Sequence, residues 1–367
     1  MAVADWLKAG GAQIFRLFGY AGTGKTTLAR HIAQDIDGDV LFAAFTGKAA
    51  QVLRSAGAAN ARTIHSLIYR PRGEESVRDE ETGTTTVSPI FALNRASPAA
   101  KARLVIVDEC SMVDADLGRD LLSFGMPLLV LGDPGQLPPI KGGEGGGGFF
   151  TEHEPDVLLS EVHRQARDNP IIDLAMRARA GERIEYGRYG ASRVIGKSDI
   201  DSDTVLAAEQ VLVGINRSRR LYNRRIRTLK DFAGALPAVG DRLVCLRNDT
   251  AKGLLNGGQW RVTSISRKAG TAIHMLVKSE DEGPHGPSVK IKVLKAAFER
   301  PGEEIAWAQQ RRYDAFDYGY ALTVHKAQGS QWDDVVLFDE SYAFREHRAR
   351  WLYTAITRAA ETITIVR

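Results

Sequence analysis

The chain has 367 residues, 44% of them hydrophobic, and a formal charge of +4, so it can bury sizeable cores and its length points to two or three domains. No apolar run reaches membrane-spanning length and no charged-then-apolar leader precedes Gly19, which argues against a membrane role and predicts a cytoplasmic protein. Cys110 and Cys245 lie far apart without metal-ligand spacing, which speaks against a disulfide framework or a zinc site and leaves two semi-buried thiols, while the basic balance leans toward a polyanionic partner.

In chain order, Ile14-Phe15-Arg16-Leu17-Phe18 reads as a buried first strand entering Gly19-Tyr20-Ala21-Gly22-Thr23-Gly24-Lys25-Thr26, a complete G-x-x-x-x-G-K-[ST] phosphate loop. Such a loop turns successive backbone N–H groups onto phosphate oxygens at a helix N-terminus. Lys25 reaches the β/γ-phosphates and the Thr26 hydroxyl ligates Mg²⁺. The spacing of Leu28, Ile32 and Ile36 predicts a helix leaving the loop. Farther on, Ser76-Val77-Arg78 and Thr86-Val87-Ser88 flank Glu81-Thr82-Gly83-Thr84, which reads either as a hairpin or as a loop without structure.

Leu104-Val105-Ile106-Val107 predicts a central parallel strand ending in Asp108 and Glu109, at the carboxyl edge where α/β sheets hold their ligands. There Asp108 would hold Mg²⁺ and Glu109 would polarise the water attacking the γ-phosphate. Leu128-Leu129-Val130-Leu131 repeats the pattern and leads into Gly132-Asp133-Pro134-Gly135-Gln136-Leu137-Pro138-Pro139. Gln136 fits an amide that reports the γ-phosphate, although spacing alone equally allows an incidental glutamine in a proline-stiffened loop. The glycine run 142–148 predicts a mobile linker.

Between Asn216 and Lys230, seven of fifteen residues are basic and none is acidic, with Arg217, Arg220, Arg224 and Arg227 on one expected helical face: either a solvated surface or one that tracks phosphates. Leu243-Val244-Cys245-Leu246, Trp260-Arg261-Val262-Thr263 and Val289-Lys290-Ile291-Lys292-Val293 then suggest a small β-barrel, with a hairpin turn at Asn256-Gly257. Val211-Leu212-Val213, Val335-Val336-Leu337-Phe338 and Thr362-Ile363-Thr364-Ile365-Val366 read as buried parallel strands.

GYAGTGKTT, FTGKAA, TIHSL, VDECSM, GDPGQLPP, VHRQ, ALTVHKAQGSQWDDVVLF and LYTAITRA occur in the order found in superfamily 1 helicases. Over nearly its whole length the chain resembles the RecD-like branch, which moves 5′ to 3′ on DNA. The resemblance implies an α/β fold with two RecA-like P-loop domains, residues 1–148 and residues 149–240 with 315–367. A possible pin hairpin near 70–100 would interrupt the first domain, with Pro89 and Phe91 as base contacts, and the barrel 241–314 would interrupt the second.

It further implies an ATP- and Mg²⁺-dependent DNA helicase. Lys25, Glu109 and Gln136 would be joined by the arginine fingers Arg164 and Arg358. Gly22, Thr23, Gly24, Lys25, Thr26, Thr27, Gly329 and Gln331 would hold the nucleotide, and Thr26 and Asp108 the metal. Thr46, Lys48, Thr63, His65, Ser66, Asn216, Thr323, His325 and Lys326 would contact nucleic acid through its uniform sugar–phosphate backbone.

The expected partners are single-stranded DNA and single-strand/duplex junctions, with replication or recombination proteins, for a monomeric motor in a bacterial or phage-infected cell. The chain departs from the family in two places. Gln13, expected inside the first strand, is the lone glutamine upstream of the phosphate loop, and Gln331 stands where a ribose-binding glutamate is common. An RNA-directed helicase and a nucleotide-gated binding module without unwinding are the competing readings.

Overall fold

The computed structural model describes residues 2–78, 85–139, 148–160, 169–249, 251–301, 309 and 311–367. The turn 81–84, the glycines 142–147 and Arg164 lie outside the described residues. The chain forms two compact units: Met1–Arg70, Ala92–Lys197 and Gln328–Arg367 in the first, Pro71–Phe91 and Ser198–Ala327 in the second.

The first unit contains a wholly parallel sheet ordered Arg62–Thr63, Val40–Ala44, Leu104–Asp108, Leu128–Gly132, Ile14–Gly19, Val157–Leu159. The continuous apolar runs follow from burial on both faces. Val105, Val107, Leu128 and Val130 enter one core, and Leu104, Ile106, Leu129 and Leu131 the other. Because all six strands run the same way, the phosphate loop, Asp108 and Asp133 emerge from one edge.

The helix after the loop spans Lys25–Gln34, two residues short of Ile36. Its fully buried residue is Ala29, whereas Leu28 is 38% exposed, so the predicted apolar stripe is displaced by one position. A second group of strands in this unit pairs Trp332–Phe338, Ala359–Val366 and Ser192–Ile195 in parallel, with Gly187–Tyr189 antiparallel at one end. The helix Arg348–Ile356 buries Trp351 and Tyr353 completely.

Strands Tyr69–Arg78 and Thr85–Leu93 pair as a two-stranded ribbon, longer than the predicted arms. In the second unit Gln210–Val213 runs parallel to Ala321–Thr323. Beside them a five-stranded antiparallel sheet is ordered Ser288–Leu294, Ala272–Ser279, Gln259–Ala269, Arg242–Cys245, Phe316–Tyr318. It curls on itself: Asp314 N donates to Lys292 O and Lys292 N to Asp314 Oδ2, both at 2.7 Å, joining the approach to the last strand to the first. Ala272–Ser279 was not among the expected strands, although Ile273, Met275 and Val277 alternate inward along it.

Asn256-Gly257 is not a two-residue hairpin turn. It lies at the base of the longer loop 246–258, where Gly257, at φ +89°, donates to Cys245 O at 2.9 Å. Both cysteines are free and fully buried, deeper than expected.

The basic helix Asn216–Leu229 also departs from expectation. Arg227 is buried and donates to both Asp241 carboxylate oxygens at 2.9 Å, to Gly234 O and to Leu236 O, and Arg219 pairs with Asp317 at 2.6 Å. The acids missing from the run are supplied from elsewhere in the unit. Among the described residues, no helix is long and apolar enough to cross a membrane.

Candidate nucleotide site and nucleic-acid interface

The phosphate loop closes through two left-handed glycines, Gly22 at φ +77° and Gly24 at φ +75°, conformations that a side chain would strain. Thr23 Oγ1 donates to Tyr20 O at 2.8 Å, which holds the loop's curvature. The helix that follows begins without a side-chain cap, so its first N–H groups are not covered by its own sequence. Lys25 Nζ donates to Gly19 O at 2.7 Å and Tyr20 O at 3.0 Å, which suspends the ammonium across the loop. Thr27 is exposed in the first helical turn.

Thr26 and Asp108, separated by 82 positions, meet directly: Thr26 Oγ1 donates to Asp108 Oδ2 at 2.8 Å. Burial, and then the neighbouring Glu109 carboxylate, push the Asp108 carboxyl up to about 6. A hydroxyl beside a desolvated carboxylate is a donor set that suits a hard divalent cation. Glu109 follows in the left-handed region, at φ +53°, where a non-glycine residue is strained. Its own N–H donates to Asp108 Oδ1 at 2.8 Å, so the turn that presents Glu109 also orients Asp108.

Gln136 lies in a tight turn closed by its N–H to Asp133 O at 3.1 Å. The side chain is buried and, among the described residues, its Oε1 has no hydrogen-bond partner. A buried orphaned acceptor is costly and points to a ligand that would satisfy it. The same loop is fastened to the helix Arg348–Ile356: Leu137 N donates to Thr354 Oγ1 at 3.0 Å, and Gln328 Nε2 to Leu137 O at 3.2 Å. Tyr353 donates its hydroxyl to Asp133 and accepts Ala21 N–H at 2.9 Å. Burial holds the Asp133 carboxyl above its ordinary range, and the bonds from Tyr353 and Gly135 N oppose that shift.

Arg358 is buried and committed to its own neighbourhood, with Nε on Thr354 O at 3.1 Å, Nη1 on Ser330 O at 3.2 Å and Nη2 on Thr357 Oγ1 at 3.1 Å. Gln331 donates to Thr357 O at 3.2 Å, so its amide braces the same turn. Gly329 packs closely on the start of the helix Gly47–Ser55, where an added β-carbon would lie 3.0 Å from Thr46 Oγ1. Gln13 precedes the first strand rather than lying in it, and its amide is spent on Leu122 O and Met126 O, at 2.8 and 3.2 Å.

The expected nucleic-acid residues fall in both units. In the first, Thr46 caps the helix Gly47–Ser55 by accepting Ala49 N–H at 3.1 Å, with the half-buried Lys48 in its first turn. Thr63 caps Ile64–Ile68 through Ser66 N, and its hydroxyl meets Ser66 Oγ at 2.9 Å. His65 packs against Tyr69 with ring centres 4.5 Å apart and the rings tilted by 53°, and burial holds its imidazole below the ordinary range.

In the second unit Lys326 N donates to Thr323 Oγ1 at 3.4 Å, and Lys326 Nζ to Asn256 Oδ1 at 3.3 Å. His325 lies between them on the short helix Val324–Ala327, and Asn216 is exposed at the head of the basic helix. Pro89 belongs to the strand Thr85–Leu93, on which Phe91 is 43% exposed.

Sequence reasoning assigned no role to Asp133, Tyr353, Thr354 or Gln328. All four stood inside the recognised blocks GDPGQLPP, LYTAITRA and HKAQGS, and that membership was the available signal.

Residues 2–198 match the AAA domain family, and residues 318–366 match the UvrD-like helicase C-terminal domain. The chain is 28% identical to the ATP-dependent RecD2 DNA helicase of Deinococcus radiodurans over 96% of its own length and 46% of the relative's. It is 33% identical to the ATP-dependent DNA helicase dda of Enterobacteria phage T4, over 45% of this chain and 37% of that one. The chain thus spans less than half the length of either of these relatives. A solved structure of Bacteroides Pif1 bound to single-stranded DNA shares the fold at a TM-score of 0.58 and 18% identity, covering 98% of this chain and 90% of that one.

Proposed function

The chain belongs to the AAA domain family, in the RecD-like branch of the superfamily 1 helicases, and from that premise we propose that it is an ATP-driven motor that moves 5′ to 3′ on single-stranded DNA and separates duplex ahead of it. The observation that carries this reading is the direct Thr26–Asp108 contact beneath the Lys25 loop, at the sheet edge that also supports Glu109 and the orphaned Gln136. Thr26 and Asp108 would hold Mg²⁺, which supplies charge neutralisation between the terminal phosphates.

Gly22 through Thr27 would cradle the phosphates, Lys25 would neutralise them, and Glu109 would orient and deprotonate the attacking water. Gln136 would bond the γ-phosphate or that water, and would lose the bond after hydrolysis. Arg358 and Arg164 would add positive charge where it develops in the transition state, with Gly329 and Gln331 bracing the sugar side. Organisation into two RecA-like domains, the second carrying the barrel 241–314, is part of this reading. Because Val157–Leu159 pairs with Ile14–Gly19 in the first sheet, the boundary expected at 148 would move beyond residue 159, and the second domain would draw on 169–240 and 315–367.

Thr46, Lys48, Thr63, His65 and Ser66 would grip the DNA backbone in alternation with Asn216, Thr323, His325 and Lys326, while Pro89 and Phe91 on the ribbon would meet bases at a junction. The reading includes a monomeric motor that meets replication or recombination proteins in the cytoplasm of a bacterial or phage-infected cell; the bacterial and phage sources of the relatives support the bacterial or phage origin alone. The decisive experiment measures ATP turnover alone, with single-stranded DNA and with RNA. Stimulation by DNA supports the reading. Turnover indifferent to both, or stimulated by RNA alone, overturns it.

A further inference from the structure

Arg179 ends the helix Pro170–Arg179 and places its guanidinium carbon 3.7 Å from the centre of the Tyr20 ring. The helix sends Ile171, Leu174, Ala175 and Ala178 into the core, which fixes the direction in which its last turn points. Arg177, on the same helix, is paired with Asp173 at 2.9 Å. Among the described residues Arg179 has neither a carboxylate nor a hydrogen-bond partner, although it is half-buried.

Its stem also packs on the loop that carries Gln136. A β-carbon at Gly135 would lie 3.2 Å from Arg179 Cδ and 3.0 Å from the Tyr353 ring, so both side chains approach this glycine closely and would have to give by a few tenths of an ångström to admit a side chain.

The chemistry of this placement is specific. Stacking on an aromatic ring engages the face of a guanidinium and leaves its N–H edge, with five donors, unspent. Tyr20 is the second residue of the phosphate loop, and its neighbour Ala21 is the residue whose N–H binds Tyr353. An unpaired cation is therefore parked against both loops that would enclose the terminal phosphate. Arg358, in contrast, has three hydrogen bonds, to Thr354 and Thr357 in its own turn and to Ser330.

We propose that Arg179 is a further phosphate-contacting residue of the nucleotide site: Tyr20 stores the guanidinium on its ring, and the N–H edge turns to the terminal phosphoryl oxygens as charge builds on them during hydrolysis. This rests on the ATPase reading given above and extends it to a residue outside the family blocks quoted above.

The test compares binding of ADP with binding of ADP plus aluminium fluoride, which mimics the transferring phosphoryl group, in the presence of Mg²⁺ and single-stranded DNA. The proteins are the wild type, Arg179→Gln and Arg179→Lys. The expected result is ADP affinity within about threefold of wild type for all three, with the added affinity for the fluoride complex reduced about tenfold or more in Arg179→Gln. Arg179→Lys should restore little of it, because an ammonium lacks the planar fork.

Undiminished preference for the fluoride complex in Arg179→Gln would overturn the proposal. So would an equal loss of affinity for both ligands, which is the signature of a packing role. Failure of the ATPase reading itself would appear in the wild type, as absence of DNA-stimulated turnover and of any preference for the fluoride complex, and the proposal would fall with it.

Discussion

Tyr353 and Asp133, 220 positions apart, share a buried hydrogen bond in which the phenol donates to the carboxylate while accepting the N–H of Ala21. One hydroxyl thereby ties the phosphate loop, the turn before Gln136 and the helix Arg348–Ile356 into a single unit. Tyr353→Phe removes the donor and leaves a buried carboxylate with, among the described residues, Gly135 N as its remaining hydrogen-bond donor, and Ala21 N–H without its acceptor. The expected cost is about 1–3 kcal/mol, read as a lowered midpoint in urea unfolding. An unchanged midpoint would show that this contact contributes nothing.

Glu109→Gln keeps the size of the side chain and the turn but removes the carboxylate proposed as the base. ATP binding should persist while hydrolysis slows by roughly 10²–10⁴. Lys25→Ala should abolish turnover by removing the main cation proposed to face the phosphates. A Glu109→Gln protein that hydrolyses ATP at the wild-type rate would reassign the base.

Arg358→Ala should lower the rate far more than nucleotide affinity, as expected of a group acting on transition-state charge. Because three bonds brace this buried side chain, the variant should also unfold at lower denaturant. Loss of affinity with an unchanged rate would make Arg358 a ground-state ligand instead.

The Arg227–Asp241 pair is buried on both sides, with side-chain exposures of 5% and 0%. Asp241→Asn leaves a guanidinium facing a neutral amide, and Arg227→Met leaves an uncompensated carboxylate. Each should cost about 3–5 kcal/mol in urea unfolding, and replacing both partners by apolar residues should recover part of that loss. Two single variants as stable as the wild type would show that the pair is not energetically coupled to the fold.

A duplex with a 5′ single-stranded tail should be opened and one with only a 3′ tail should not. Shortening the segment 77–87 should preserve DNA-stimulated ATP hydrolysis while strand separation falls. Binding to single strands should weaken steeply with salt, because phosphates dominate the contact. Efficient opening from a 3′ tail would reverse the polarity, and full strand separation after the deletion would place the wedge elsewhere.

The elements legible in the sequence were those whose cause is local. Leu104–Asp108 and Leu128–Gly132 announce themselves because a strand buried on both faces is apolar without interruption. The phosphate loop is legible because its glycines and lysine must be contiguous. What escaped depends on distant partners: nothing near Tyr353 in the chain shows that Asp133 will meet its hydroxyl. Helical spacing put Arg227 on a basic face, yet Asp241, 14 positions on, draws it inward. The displaced stripe on Lys25–Gln34 has a similar origin, since close packing of the helix on its sheet favours the small Ala29 over Leu28.

The bonds between Asp314 and Lys292 have a consequence for how the chain behaves in a crowd. An open five-stranded antiparallel sheet exposes two rows of unpaired backbone groups, each able to template pairing with a stranger. By bringing the approach to its last strand against its first, this insert occupies the backbone N–H and C=O of Lys292, midway along the edge strand Ser288–Leu294. A stranger's strand seeking to extend the sheet at that edge would first have to displace Asp314 from Lys292.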